Sequence, residues 1–239
     1  MKTLNFMALL GAICIMGSCN FNINTGENGN GNVVTQERNA SEDFNKVKGS
    51  SGLDVYLTQG NENKILVEAD ENLHQYIETN IENGMLHITT SENIGNSKAK
   101  KVHVTFKTLA NIEASSGADV VGNSVIKSEN LILKSSSGAE LSVEVFAKEL
   151  TAKTSSGADM EITGKASTLN ADASSGSELD AKELLTLTCN AEASSGGEIS
   201  VNVKEKLKTR VSSGGDINYY GNPLSVDSNN SHSGSVNKM

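Results

Sequence analysis

Seven acidic residues occupy the same place in a repeated pentapeptide, and regularly spaced carboxylates are suited to binding a divalent cation. The pentad consists of Ser-Ser-Gly, one spacer residue and an acid. Its acids are Asp54, Asp119, Glu140, Asp159, Glu178, Glu198 and Asp216. Such a row suggests Ca²⁺ and no other cofactor, whereas a solvated acidic edge that prevents association between molecules explains the row without any metal. Both interpretations remain open from the sequence.

Covalent or acid–base catalysis has less support. No serine lies in a Gly-x-Ser-x-Gly nucleophile motif. His87 and His103 are expected on the polar sides of two strands, where they could be neighbours, but solvent-facing strand residues explain them as well as a metal pair does. Enzymes that cleave polysaccharides on a β-helix need a basic residue beside clustered acids, and the only arginines are Arg38 and Arg210. We therefore predict a protein without enzymatic activity.

The elements that position the acids follow from the spacing of the pentads. Their first serines are Ser50, Ser115, Ser136, Ser155, Ser174, Ser194 and Ser212, and the last six are 21, 19, 19, 20 and 18 residues apart. Between pentads, apolar or small residues alternate with polar ones, as at Leu169, Ala171 and Ala173. A fixed period of alternating residues is typical of coils that stack on their neighbours. The sequence predicts an all-β fold, a parallel β-helix with coils of about 19–20 residues.

The pentad itself is predicted to be a corner of each coil. Alternation places Ser156 and Ala158 on the inner face, Gly157 permits a tight bend, and Asp159 points outward. Inward serines need hydrogen-bond partners, so we predict a ladder in which each serine bonds to the serine of the next coil. Cys189 shares the inward parity and is expected to be a buried apolar residue. Loops or second corners are expected at 163–168, 181–185 and 203–207.

The two ends of the repeat are less regular. Strands are predicted at Leu53–Gln59, Lys64–Glu68, Met85–Thr90 and Lys101–Phe106, with a short turn and a strand before an Asn-Gly turn at 83–84. These strands form either the first coils or a separate cap. At the other end, 230–236 is a degenerate pentad without the acid, as expected of a terminal repeat. Tyr219 and Tyr220 are predicted to cover that end.

The first residues form a targeting segment. Lys2, the apolar stretch 4–16 and the small residues before Cys19 indicate a bacterial lipoprotein signal over residues 1–18. Cleavage before Cys19 and lipidation of its thiol are predicted, with an ordinary secretory signal as the alternative. Residues 19–42 are rich in Asn and Gly and are predicted to be a flexible tether. The β-helix domain is then expected over 43–236.

Charge limits the choice of partners. The formal net charge is −9, and it becomes −10 when residues 1–18, which contain one lysine and no acid, are removed. A surface of this sign argues against binding nucleic acid or anionic lipid head groups through overall charge. Attachment to a membrane would therefore depend on the acyl chains at Cys19.

Several of these features occur together in one known family. The stretch 44–60, the strand 84–88 and the pentads from Ser115 onward give the chain a pattern that resembles the bacterial family described as putative auto-transporter adhesins with a head GIN domain, common in Bacteroidetes. The resemblance covers about residues 44–230. It implies a right-handed parallel β-helix and a location in the cell envelope.

The sequence thus favours a non-catalytic envelope lipoprotein, expected at the outer membrane, whose β-helix binds in the manner of an adhesin. Its partners would be the membrane, through the lipid, and a glycan or a surface protein of the envelope or a host. The alternative is a structural or regulatory periplasmic module without an external ligand. A polysaccharide-active enzyme is a more remote alternative.

Overall fold

Parallel strands stack into a β-solenoid of about seven turns in the computed structural model, which describes residues 26–40, 42–230 and 233–239. Each coil has two faces joined by the Ser-Ser-Gly corner. We call the face before the corner face I and the face after it face II. The strands are β1 Val33–Arg38, β2 Lys46–Gly49, β3 Asp54–Gln59, β4 Lys64–Asp70, β5 Ile77–Glu82, β6 Met85–Thr90, β7 Lys100–Phe106, β8 Asn111–Ser115, β9 Asp119–Gly122, β10 Ile126–Ser136, β11 Glu140–Ser155, β12 Asp159–Ser174, β13 Glu178–Ser194, β14 Glu198–Val211, β15 Asp216–Tyr220, β16 Ser225–Asn230 and β17 Ser235–Lys238. The predicted all-β solenoid is therefore confirmed.

In-register stacking of apolar side chains builds the core. Leu150 pairs with Leu169, Leu169 with Cys189, and Cys189 with Leu207 on successive strands of face I. All four are buried, and burial raises the pKa of the Cys189 thiol to about 12. Cys189 is thus an apolar core residue, as its parity predicted.

The corner differs from the prediction in the orientation of its second serine. Ser156 was predicted to face inward, but it faces outward. Ser156 and Gly157 both have positive φ, 57° and 67°, so the chain reverses in two residues. Simple alternation does not pass through such a turn, and Ser156 is exposed while Thr154 and Ala158 on either side of it are buried. Ser175 and Ser195 are likewise exposed with positive φ.

The predicted ladder of serine side chains is replaced at the corners by a ladder of backbone groups. The N–H of Gly157 donates to the carbonyl of Ser175 at 3.2 Å, and Gly138 and Gly176 donate in the same way to the following coil. In one pentad the spacer residue is a serine, Ser177, and its hydroxyl is buried. This hydroxyl is satisfied because it donates to Thr154 Oγ1 at 2.9 Å. The corner therefore needs no side-chain hydrogen bond to stack.

The opposite edge, which we call the second edge, is made of continuous strand rather than loops. Strands β11 to β14 run through it, with register shifts between Glu161 and Gly164 and between Ala181 and Leu185. Gly164 has φ 104°, and a Cβ there would lie 2.2 Å from the carbonyl oxygen of Val145. Bulges and close backbone approach turn the chain here, so of the two structures predicted for 163–168, 181–185 and 203–207 the second corners are confirmed and the loops are not.

The N-terminal region contains both coils and a cap. Strands β2 and β3 form one coil, which pairs on one side with β8 and β9 and on the other with β6 and β7. The chain therefore builds an inner coil first and returns to build the outer one. Antiparallel β4, β1 and β5 then cover that end. The Asn-Gly turn at 83–84 joins β5 to β6, as predicted.

The predicted tether is wrong for its described part. Strand β1 pairs with β4 over six residues, and the segment before it is hydrogen-bonded to the cap. Asp70 is the centre of this contact: it is fully buried and accepts from the N–H groups of Gly31, Lys98 and Ala99. Asparagine side chains add to it, with Asn30 N–H donating to Asn72 Oδ1 at 2.8 Å.

At the C-terminal end the solenoid continues for one incomplete coil. Strand β17 pairs with β15, and Ser235 stands opposite Asp216, so the acid is replaced in this copy as predicted. Tyr219 and Tyr220 are half-buried on β15. In the described ranges no helix is long and apolar enough to cross a membrane. The signal and lipidation predictions at 1–18 and Cys19 lie outside the described residues.

Replacing Gly157 by alanine tests the corner. A Cβ at Gly157 would meet no atom within 4 Å, so any loss of stability comes from the backbone. We expect Gly157→Ala to lower the free energy of unfolding by about 1–2 kcal/mol, measured by urea denaturation. Ser156→Gly is the matched control and should not destabilise, because it relieves the same strain. Equal stability of Gly157→Ala and the wild type would contradict this account.

Asp70→Asn tests the N-terminal cap. An amide in place of a carboxylate loses charge-assisted bonds, so we expect a loss of about 1–3 kcal/mol at pH 7. The hydrogen bond from Ala99, above all, lowers the pKa of Asp70, which means that the ionised form stabilises the fold. That contribution is present above the unfolded-state pKa near ~3.9 and is lost as the pH falls through the folded-state value. The difference in melting temperature between variant and wild type should shrink from pH 6 to pH 3, and Glu62→Gln, an exposed change, should show no such trend.

Candidate binding surfaces

Strand register assembles the seven predicted acids into one continuous column on face II. Each acid stands opposite the next on the adjacent strand. The column begins beside Lys101, which pairs with Asp54, and ends at Ser235. Asp54 and Asp119 are half-buried, whereas the other five acids are exposed. The sequence therefore identified both the membership of this column and its outward orientation.

The column is electrostatically unfavourable to the folded chain. Burial, followed by the charges of Glu198, Asp159 and Asp180, raises the pKa of Glu178. Burial and the charge of Asp54 raise the pKa of Asp119. Lys182 lies against Asp180, with Nζ 2.5 Å from its carboxylate, and relieves part of this repulsion.

The described residues form no metal-binding cluster at this column. Within the described part of the chain, no group of three or more His, Cys, Asp or Glu side chains is arranged to hold a metal ion. His87 lies on β6 of face I and His103 on β7 of face II, so the two are not neighbours as the sequence allowed. His103 stacks on Tyr56 with ring centroids 5.2 Å apart, and its Nε2 is 3.2 Å from Glu68.

Face I carries a second surface, which the acidic pentads did not indicate. Two rows of polar side chains cross β11 to β14 and line a depression of about 430 Å³. The face I ladder, as we call it, consists of Thr151, Lys153, Asn170, Asp172, Asn190, Glu192, Lys208 and Arg210. Its residues occupy the same two outward positions in each coil. An alignment of the coils by their pentads would therefore have identified the face I ladder from the sequence.

Hydrogen bonds and ion pairs run along the face I ladder. Asn190 Nδ2 donates to Asn170 Oδ1 at 2.9 Å. Lys153 approaches Asp172 at 3.7 Å, and Arg210 approaches Glu192 at 3.8 Å. These contacts are between exposed groups and stabilise the fold little, so the donors and acceptors are available to a ligand.

A third surface lies along the second edge. A groove of about 510 Å³ is lined by Phe146, Ala147, Lys165, Ala166, Ser167, Leu185, Thr186, Leu187, Asn202, Val203, Lys204, Gly221 and Asn222. It adjoins a larger depression of about 790 Å³ that shares Phe146, Ala147 and Ser167 with it. Sequence reasoning missed this surface because the predicted loops or second corners did not indicate which side chains would lie together there.

The family described as "Putative auto-transporter adhesin, head GIN domain" matches residues 43–223. The chain belongs to this family. The match includes the pentads from Ser50 to Ser212 and most of the solenoid, and it confirms the resemblance drawn from the sequence. No curated protein matches the chain.

Solved structures share the fold of this family member. A putative adhesin from Bacteroides fragilis is 19% identical, with a TM-score of 0.82 over 89% of this chain and 100% of its own. A putative adhesin from Parabacteroides distasonis is 20% identical, with a TM-score of 0.72 over 89% and 99%. A protein from the same species described as a putative lipid binding protein is 21% identical, with a TM-score of 0.71 over 89% and 99%. At these identities the likeness establishes the fold, while the adhesin-like class comes from the family.

Glu178→Gln tests the repulsion within the acidic column. Because the pKa of Glu178 is raised in the folded state, its ionised form destabilises the fold, and the penalty grows as the pH rises through the carboxyl range. We expect the variant to gain a few tenths of a kcal/mol at pH 7 and low salt, and to gain nothing near pH 3. Glu183→Gln, exposed on the second edge, is the matched control and should be neutral in urea denaturation.

The same two variants test the calcium prediction. If the column binds Ca²⁺, millimolar CaCl₂ should raise the melting temperature of the wild type and of Glu183→Gln more than that of Glu178→Gln. An equal response to MgCl₂, or no response in any of the three proteins, would leave the solvated acidic edge as the explanation.

Proposed function

We propose that this chain is a non-catalytic, lipid-anchored protein of the cell envelope that binds an extended glycan along the face I ladder. The ladder is the observation that carries the proposal. Adjacent strands are spaced about 4.8 Å apart, so its amide, hydroxyl and ionic groups recur at that interval along the solenoid axis. A linear polymer with repeating hydroxyl groups can engage several coils at once, and the affinity of many weak contacts adds along its length.

The chemistry of the ladder suits hydroxyl groups. Asn170 and Asn190 each provide a donor and an acceptor, and the ion pairs of Lys153 and Arg210 add charge-assisted bonds. The family description supports an adhesin-like class for the chain, and the envelope location goes with that class. Lipidation at Cys19 supplies the attachment to the membrane that an anchored adhesin requires.

A pair of double variants tests glycan binding. The full-length chain in detergent is applied to immobilised linear polysaccharides, both neutral and acidic. Asn170→Ala with Asn190→Ala should weaken binding about tenfold, because two bidentate side chains are lost. The control is Asn218→Ala with Asn237→Ala, a hydrogen-bonded asparagine pair on face II at 3.3 Å. Equal loss in both double variants would show that face I has no special role.

The remaining outcomes separate this function from its alternatives. Protease treatment of intact cells should remove the domain if it is displayed on the surface and spare it if it is periplasmic. A periplasmic chain that binds no polysaccharide would support the structural or regulatory module. Cleavage of an acidic polysaccharide by the purified chain would overturn the non-catalytic assignment.

A further inference from the structure

Large apolar side chains are exposed together at the second edge. Phe146 is 59% exposed, Leu185 is 54% exposed and Leu187 is 40% exposed, although the chain has few aromatic residues. Phe146 pairs with Lys165, and Lys165 with Leu185, so the two apolar side chains lie on β11 and β13 with Lys165 of β12 between them. Clustered apolar exposure of this kind marks an interaction site, whereas single exposed residues do not.

Smaller residues form the rest of the groove between them. Ala147, Ala166, Thr186 and Val203 stand in register on β11 to β14 and are nearly buried. The volume of about 510 Å³ lies within the range of sites for small ligands. Since successive strands are about 4.8 Å apart, four strands and the adjoining depression give a narrow channel roughly 20 Å long.

The charge of this channel is opposite to that of the whole chain. Lys165 and Lys204 line the groove, and no carboxylate does. The adjoining depression adds Lys127 and Lys148 against a single acid, Glu129. In the described part of the chain none of these four lysines lies in an ion pair with a carboxylate. The net charge of −9 therefore does not describe the potential at this edge.

The occupant is limited by what the groove lacks. The backbone of β11 to β14 is already paired on both sides, so a peptide cannot add to it as a strand. A sugar would find hydrogen-bond partners in Ser167, Asn202 and Asn222, but the exposed side chains of Phe146, Leu185 and Leu187 offer its hydroxyl groups none. An acyl chain suits these side chains, and an anionic head group suits Lys165 and Lys204.

We propose that the second-edge groove binds a single-chain anionic lipid, with the acyl chain on Phe146, Leu185 and Leu187 and the carboxylate or phosphate head on Lys165 or Lys204. This site is separate from the face I ladder. Lipid binding at the second-edge groove can therefore be tested independently of glycan binding at the face I ladder.

Displacement of a fluorescent fatty acid tests the proposal. Residues 20–239 are used without detergent, because every described strand and the whole core lie within them. Oleate should displace the probe from the wild type. Phe146→Ser with Leu185→Ser should weaken probe binding at least about tenfold. The matched control is Ile132→Ser, because Ile132 is 40% exposed on face I, outside the groove. Equal loss in the control, or no binding by the wild type, would overturn the proposal.

The head group is tested with the charge reversals. Lys165→Glu with Lys204→Glu should weaken oleate binding and leave methyl oleate unaffected, whereas Lys208→Glu on face I should change neither. Equal affinity of the wild type for oleate and methyl oleate would overturn the anionic part. Binding to phosphatidylglycerol vesicles without binding of monomeric oleate would overturn a single-lipid site and identify the edge as a membrane contact instead. Circular dichroism of each variant verifies that the β-solenoid is intact.

Discussion

The two-residue reversal at Ser-Ser-Gly is the constraint on which the solenoid depends. Two consecutive residues with positive φ reverse the chain direction, so the strand on face I continues as the strand on face II. The glycine N–H of the corner donates to a serine carbonyl of the next coil. From the second pentad onward a small residue, Ala, Ser or Gly, occupies the inward position after the corner, where the two faces approach each other closely. Gly197 shows how closely, because a Cβ on it would lie 2.4 Å from the carbonyl oxygen of Ala173. A fixed corner fixes the register, and the register places every side-chain column of the molecule.

The two ends of the solenoid are closed differently, by an antiparallel cap at the N-terminal end and by an incomplete coil at the C-terminal end. At the N-terminal end the chain closes the solenoid with antiparallel strands, and the buried carboxylate of Asp70 holds three backbone N–H groups from two segments. A buried charge is tolerated because those N–H groups satisfy it. The C-terminal end has a shorter coil of Asn- and Ser-rich strands, whose charged residues are Asp227 and Lys238, and charge on an edge strand discourages association between molecules.

Repetition gives each surface its chemical character. One position of the repeat gives a row of acids on face II, another gives mixed ion pairs and amides on face I, and the bulged second edge gives an apolar channel with lysines. The repulsion within the acidic row is partly relieved by Lys182, which lies against Asp180. The face I ladder and the second-edge groove share no lining residue, so the proposed glycan and lipid sites do not overlap.

The sequence by itself determined the solenoid, its coil length, its buried columns and the acidic row, because a fixed period and strict alternation leave one way to bury the apolar residues. It could not determine the side chains at the corner. Ser156 faces outward, against its parity, because a reversal through positive φ is not part of a strand. Residues 26–32, the described part of the Asn- and Gly-rich segment before β1, have no apolar period, so only the tertiary structure showed that backbone and asparagine hydrogen bonds dock them on the cap. The second-edge groove also needed the structure, since it combines residues about 20 positions apart whose contact depends on the register shifts of the bulges. The face I ladder follows from aligning the coils by pentad, and the structure adds its hydrogen bonds and ion pairs.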